Sequence, residues 1–107
     1  LERKFEVDAG EGQIDARFKT VQGRIESFAI QLSYEEAGHW VEIYRADTDH
    51  GFLHEHRFWE SDERIRLEES FEDYNQAFNA LFQYIRENAQ EWIEKKRRKK
   101  YGRAGYG

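Results

Sequence analysis

Apolar and polar residues alternate along most of the first sixty positions, and the period then changes to that of a helix. Ile14, Ala16 and Phe18 alternate with Asp15, Arg17 and Lys19. A period of two marks a half-buried strand. Val21-Gln22-Gly23 has the residues of a hairpin turn, and Phe28, Ile30 and Leu32 alternate on a second strand. Glu35-Glu36-Ala37-Gly38 interrupts the pattern. Residues 40–46 and 52–59 then read as third and fourth strands around Asp47-Thr48-Asp49-His50-Gly51, where Gly51 supplies a positive φ. Ser61-Asp62-Glu63 is a further turn, and Ile65 and Leu67 form a short fifth strand. Phe5 to Ala9, ahead of Gly10-Glu11-Gly12, is either an edge strand or a flexible arm.

Tyr74, Phe78, Leu81, Phe82, Ile85, Ala89, Trp92 and Ile93 recur at spacings of three and four. This predicts an amphipathic helix of roughly 20–25 residues. Ser70 with Asp73, or Asp73 with Gln76, has the form of a capping box. Gly102 and Gly105 are expected to end the helix. The predicted fold is α+β: an antiparallel meander of four to five strands packed by one long C-terminal helix. Residues 1–95 form one domain, with 1–12 as the arm or edge strand, and 96–107 form a basic, mobile tail.

With 107 residues the chain has room for one modest core, and eight Phe, six Tyr and three Trp supply much of it. There is no Cys, so neither a disulfide framework nor a thiolate metal site is available. Lack of a long apolar run excludes a membrane-spanning helix, and these features together predict a cytoplasmic protein. Position 1 is Leu and the sequence has no Met, which predicts a chain trimmed or begun inside a longer reading frame. The net charge of −5 conceals an asymmetry: seven Lys and Arg follow Glu94, so the first 94 residues carry −12.

Candidate chemistry concentrates in residues 45–60, where His50, His54 and His56 lie within seven positions. On a strand His54 and His56 project from one face. An even-length loop centred on His50-Gly51 sets Asp47 opposite His54 and Arg45 opposite His56. It also gathers Val41, Ile43 and Phe58 on one apolar face. Three readings follow. His50, His54, His56, Asp47 and Asp49 are ligand types for a divalent metal such as zinc or nickel. The cluster of His54, His56, Arg45 and Asp47 could perform acid–base chemistry on a phosphodiester, with His as acid or base and Arg45 steadying the phosphate. The third reading is a structural network that satisfies half-buried imidazoles.

The other sheet face would carry Trp40, Tyr44, Arg57 and Trp59, as a base-stacking platform, core packing or a dimer interface. Lys95, Lys96, Arg97, Arg98, Lys99 and Lys100 form a basic knob, read either as a contact for RNA phosphates or as a solvated helix end.

The run Trp40-Val41-Glu42-Ile43-Tyr44-Arg45-Ala46-Asp47-Thr48-Asp49-His50-Gly51, then His54-Glu55-His56, then Asp73-Tyr74-Asn75-Gln76-Ala77 resembles a family of short prokaryotic proteins of unknown function. Its members share an Asp-x-x-His-Gly-x-x-His-x-His hairpin and a C-terminal helix, and the likeness covers about residues 24–95. More loosely the pattern is similar to TumE-type toxins of toxin–antitoxin systems. The first resemblance implies the fold and the importance of the hairpin. The second implies growth inhibition through RNA and a cognate antitoxin. The expectation is a small interaction protein, homodimeric or paired with another protein, acting on or binding RNA through the His-rich hairpin. The alternative is a non-catalytic metal- or ligand-binding module or a structural adaptor.

Overall fold

The computed structural model describes residues 1–106, with side chains as far as Lys99. Six strands form one antiparallel sheet in sequence order: β1 (Glu2–Ala9), β2 (Gly12–Val21), β3 (Arg24–Glu36), β4 (His39–Asp47), β5 (His54–Arg57) and β6 (Arg64–Arg66). Helix α1 (Tyr74–Tyr106) follows and packs on one sheet face. The architecture is the expected α+β meander with one C-terminal helix, but with six strands in place of four to five. The additional one is β1, eight residues paired along its length with β2 from Glu2↔Lys19 to Ala9↔Gly12. Phe5, Val7 and Ala9 alternate with Glu6 and Asp8, but the run is short and follows three charged residues, so the sequence leaves edge strand and arm both open.

Two-residue turns close the β2–β3 and β3–β4 hairpins. Gln22 and Gly23 have φ of 52° and 77°, and Ala37 and Gly38 have 50° and 81°. Left-handed backbone at both central positions matches the right-handed twist of the flanking strands, and glycine takes the second position without steric cost.

Pairing dictates which residues share a face. Ile14, Leu32 and Tyr44 lie in one cross-strand row, and Ala16, Ile30, Ala46 and Glu55 in the next. These rows face α1. Phe78 meets Phe18 and Phe28 edge-on at 5.2 and 5.5 Å between ring centroids. Trp92 stacks on Tyr44 at 5.0 Å and on Trp59 at 4.5 Å. Ile14, Ile30, Leu32, Ile85 and Ile93 are fully buried between the layers, each stabilising the fold by about 1.5–3 kcal/mol relative to exposure. Of the three uses weighed for the aromatic residues, core packing holds for Tyr44 and Trp59, which belong to this core, while Trp40, 59% exposed at the start of β4, faces outward.

A second correction concerns Val41 and Ile43. The β3–β4 register shifts between Leu32 and Ser33, so Tyr44 pairs with Leu32 while Glu42 pairs with Ser33. Ile43 is the extra residue of a bulge. Val41 consequently lines up with Tyr34 in the helix-facing set, not beside Ile43 and Phe58. A bulge adds one residue to one strand and leaves no mark on composition.

The helix is fixed at both ends. Asp73 accepts from the Gln76 amide at 2.8 Å, and the Gln76 side chain accepts from the Glu72 amide at 2.7 Å, so the predicted box forms with its return bond on the residue before the cap. Farther along, Gln90 Nε2 donates to Glu11, and Arg97 pairs with Glu11 while its guanidinium lies 5.1 Å over the Tyr34 ring. Helical backbone continues past Gly102 and Gly105 to Tyr106, since glycine costs a helix only about 1 kcal/mol and does not forbid it. Among the described residues no helix is long and apolar enough to cross a membrane.

Candidate functional site: the open face of the sheet

The face turned away from α1 is polar across all six strands. One row reads Lys4, Arg17, Ala29, Asp47, His54 and Arg66. The neighbouring row reads Glu6, Asp15, Gln31, Arg45, His56 and Arg64. Asp47 pairs with His54 and Arg45 with His56, as an even-length loop requires. The loop itself is longer than a two-residue turn: residues 48–53 connect the strands, with a 3-10 turn at Asp49–Gly51. His50 holds φ at 68°, a left-handed conformation uncommon outside glycine.

Asp47 and His54 are the buried centre of the hairpin. His54 Nε2 lies 3.1 Å from Asp47 Oδ1, and its Nδ1 lies 3.2 Å from the Phe52 carbonyl oxygen. The side chains are 2% and 4% exposed. Asp47 Oδ1 also accepts from the Asp49 amide at 2.9 Å. Both nitrogens of His54 are thus engaged and shielded, so this ring cannot reach a substrate proton without breaking the hairpin. It positions the loop.

His56 differs. Its ring lies parallel to that of Phe58, 5.3 Å away and 1° from coplanar orientation, and edge-on to His54 at 5.2 Å. Nδ1 is buried without a hydrogen-bond partner among the described residues. Burial, followed by the neighbouring His54, pushes its pKa below the ordinary imidazole value. His56 is therefore a ring favoured in its neutral form, beside Arg45 and Arg64 in the same row. Arg45 in turn donates to Glu42 at 2.8 Å, and Gln31 donates to the same carboxylate.

The structure brings Arg45, Asp47, His54 and His56 together. His50 sits in the exposed loop with its ring 6.2 Å from that of His54, and Asp49 is exposed beside it. Among the described residues, no three His, Asp or Glu side chains are placed to hold a metal ion. The five-residue donor set therefore does not converge, because His54 and Asp47 are spent on each other and on backbone groups.

The basic segment is largely engaged as well. Lys95 lies 3.7 Å from Glu91. Lys96 Nζ donates to the Phe58 carbonyl at 3.0 Å, and Lys99 Nζ to the Glu60 carbonyl at 2.9 Å. Arg97 is held by Glu11, whose carboxyl is pulled down to about 2 by that hydrogen bond and then by Gln90. Arg98 is exposed, and the Lys100 side chain lies outside the described residues.

Two features escaped the sequence reading. A concavity of about 610 Å³ opens on the polar face over Ala29, walled by Lys4, Glu6, Asp15, Arg17, Gln31 and Arg45 and bounded by Asp47 and Asp49. Its cause is simple: Ala29 is the one small side chain between Arg17 and Asp47. The polar positions of β2 and β3 were visible as alternation, but only cross-strand register aligns them. The second feature is Glu55, 1% exposed on the helix side. It accepts from Tyr44 Oη and pairs with Arg57 at 2.8 Å. Burial and the facing carboxylate push the Tyr44 phenol far above its ordinary value.

The model of a family described as a domain of unknown function, DUF7718, matches residues 2–101. No curated protein and no solved structure matches the chain.

Proposed function

The chain belongs to the DUF7718 family, and we propose that it is a non-catalytic binding module whose open sheet face holds a small polar ligand. One observation carries this reading: the concavity over Ala29, ringed by charged side chains on strands whose other face is a packed core. Ligand sites are concavities of this size with a few convergent polar groups. Lys4 and Arg17 have no hydrogen-bond or ion-pair partner among the described residues, so their donors are available. The buried Asp47–His54 pair favours binding over acid–base chemistry, because its groups face internal partners and are shielded from a substrate. Screening polar metabolites by thermal shift tests the reading. Hits should stabilise the protein and lose their effect in Ala29→Leu, which fills the floor; hits equally effective on Ala29→Leu would contradict it.

A second reading is favoured by a different observation. Arg45, His56 and Arg64 share a row, and His56 already stacks on Phe58. Arginine beside an aromatic surface suits phosphates and bases of single-stranded RNA. In that reading the chain is the RNA-acting member of a toxin–antitoxin pair. Binding of RNA should then fall steeply with salt and require Arg45 and Arg64. Growth arrest on expression alone, relieved by His56→Ala, would favour this reading; unimpaired growth and no RNA binding would remove it.

A further inference from the structure

Cross-strand pairing on β1 and β2 sets like charges directly opposite one another, with opposite charges next to them along each strand. Lys4 lies directly opposite Arg17, and Glu6 directly opposite Asp15. Like charges facing each other across paired strands are destabilising. Exchanging one residue of each pair would turn both into favourable pairs. Among the described residues none of the four forms an ion pair, although Asp15 accepts from Gln13 at 3.0 Å. All four border the concavity over Ala29.

We propose that this arrangement is a two-point site for a zwitterionic small molecule, with an anionic group between Lys4 and Arg17 and an ammonium group between Glu6 and Asp15. The inference rests on the open-face binding reading and names the ligand class. Each cross-strand pair presents two like charges about 5 Å apart at Cβ, which suits one counter-charge placed between them. Along a strand, Lys4 and Glu6 are two residues apart, so the two subsites are separated by about 7 Å. A ligand spanning that distance cancels both repulsions at once. A singly charged ligand cancels one and leaves its own apolar end against the other charged pair. Lys4, Arg17 and Glu6 are exposed and Asp15 is half-buried, so the site is reachable from solvent and the ligand lies against the floor made by Ala29.

The test uses 6-aminohexanoate, whose extended length matches the spacing, against hexanoate and hexylamine. Amide chemical shifts of the labelled full chain follow each titration. The zwitterion should move the amides of residues 4, 6, 15, 17 and 29 and bind at least about tenfold more tightly than either singly charged analogue. Arg17→Gln should reduce the preference over hexylamine, and Asp15→Asn the preference over hexanoate. A second readout separates a site from a merely structural role. Both substitutions relieve a like-charge pair, so each should leave the melting temperature of the ligand-free protein unchanged or raise it while weakening binding. Equal binding of the three probes, or indifference to both substitutions, overturns the proposal. Failure of 6-aminohexanoate to perturb the open face while another polar metabolite does so overturns the ligand class and leaves the binding reading standing. Silence of the open face to every polar metabolite removes both.

Discussion

His54 meets Asp47 across the β4–β5 hairpin with Nε2 3.1 Å from Oδ1, and both side chains are almost wholly buried. The pair explains why a six-residue loop keeps a single register. Asp47 accepts from the ring and from the Asp49 amide, while the other ring nitrogen meets the Phe52 carbonyl. A slip by one residue would turn His54 toward the core and leave these groups unsatisfied.

Asp47→Ala removes the acceptor for both a buried ring nitrogen and a backbone amide. It should cost about 2–3 kcal/mol in urea unfolding. Asp49→Ala, at an exposed carboxylate whose amide contact is retained, should stay within about 0.5 kcal/mol of the parent. Equal losses in the two variants would show that the buried pair does not organise the hairpin.

Glu55 is the reverse case, a carboxylate on the helix-facing side tied to Tyr44 and Arg57. Arg57→Ala strands that carboxylate in the core and should cost about 2–3 kcal/mol, discounted because the guanidinium is partly solvated. Combining Arg57→Ala with Glu55→Gln should cost less than Arg57→Ala alone, since no buried charge remains and Tyr44 Oη keeps an acceptor. A double substitution as costly as the sum of the two singles would refute the coupling.

The depressed pKa of His56 has a definite pH consequence. A ring whose folded pKa lies below its unfolded value near 6.5 contributes stability that is present above that value. The contribution is lost as the pH falls through the lowered folded pKa. Unfolding measured between pH 7 and 5 should therefore show a decline that His56→Phe flattens. An unchanged slope in the variant would mean that another group titrates there.

Glu11 acts lower on the scale. Arg97 and Gln90 hold its carboxyl at about 2 against an ordinary 4.5. The contact between the β1–β2 turn and α1 is then present above pH 4.5 and lost as the pH falls toward 2. Glu11→Gln should remove this part of the acid limb, seen as a shallower fall in melting temperature over that window. An identical acid limb would contradict the pairing.

The helix was legible because eight apolar residues keep its period, and Asp73 with Gln76 announced its start. The central strands were legible for the same reason, and loop parity correctly set His54 opposite Asp47. What escaped depended on relations between strands. The bulge at Ile43 rotated Val41 into the helix-facing set. Glu55 reads as a solvent-facing acid in sequence, yet its parity with Ala46 and Tyr44's hydroxyl place it in the core. The concavity needed Ala29 to fall between Arg17 and Asp47, which no single strand reveals. Lys96 and Lys99, apparently free cations of a basic run, cap the carbonyls of Phe58 and Glu60.

The central claim is that ligand binds the polar face over Ala29. An amide-resolved NMR spectrum of the labelled protein, recorded with and without the polar small-molecule fraction of a cell extract, tests it most directly. The account predicts shifts clustered at residues 15, 17, 29, 31 and 45 that vanish in Ala29→Leu. Shifts confined to α1 or to the outer edge of β1, or shifts that persist unchanged in Ala29→Leu, would contradict it.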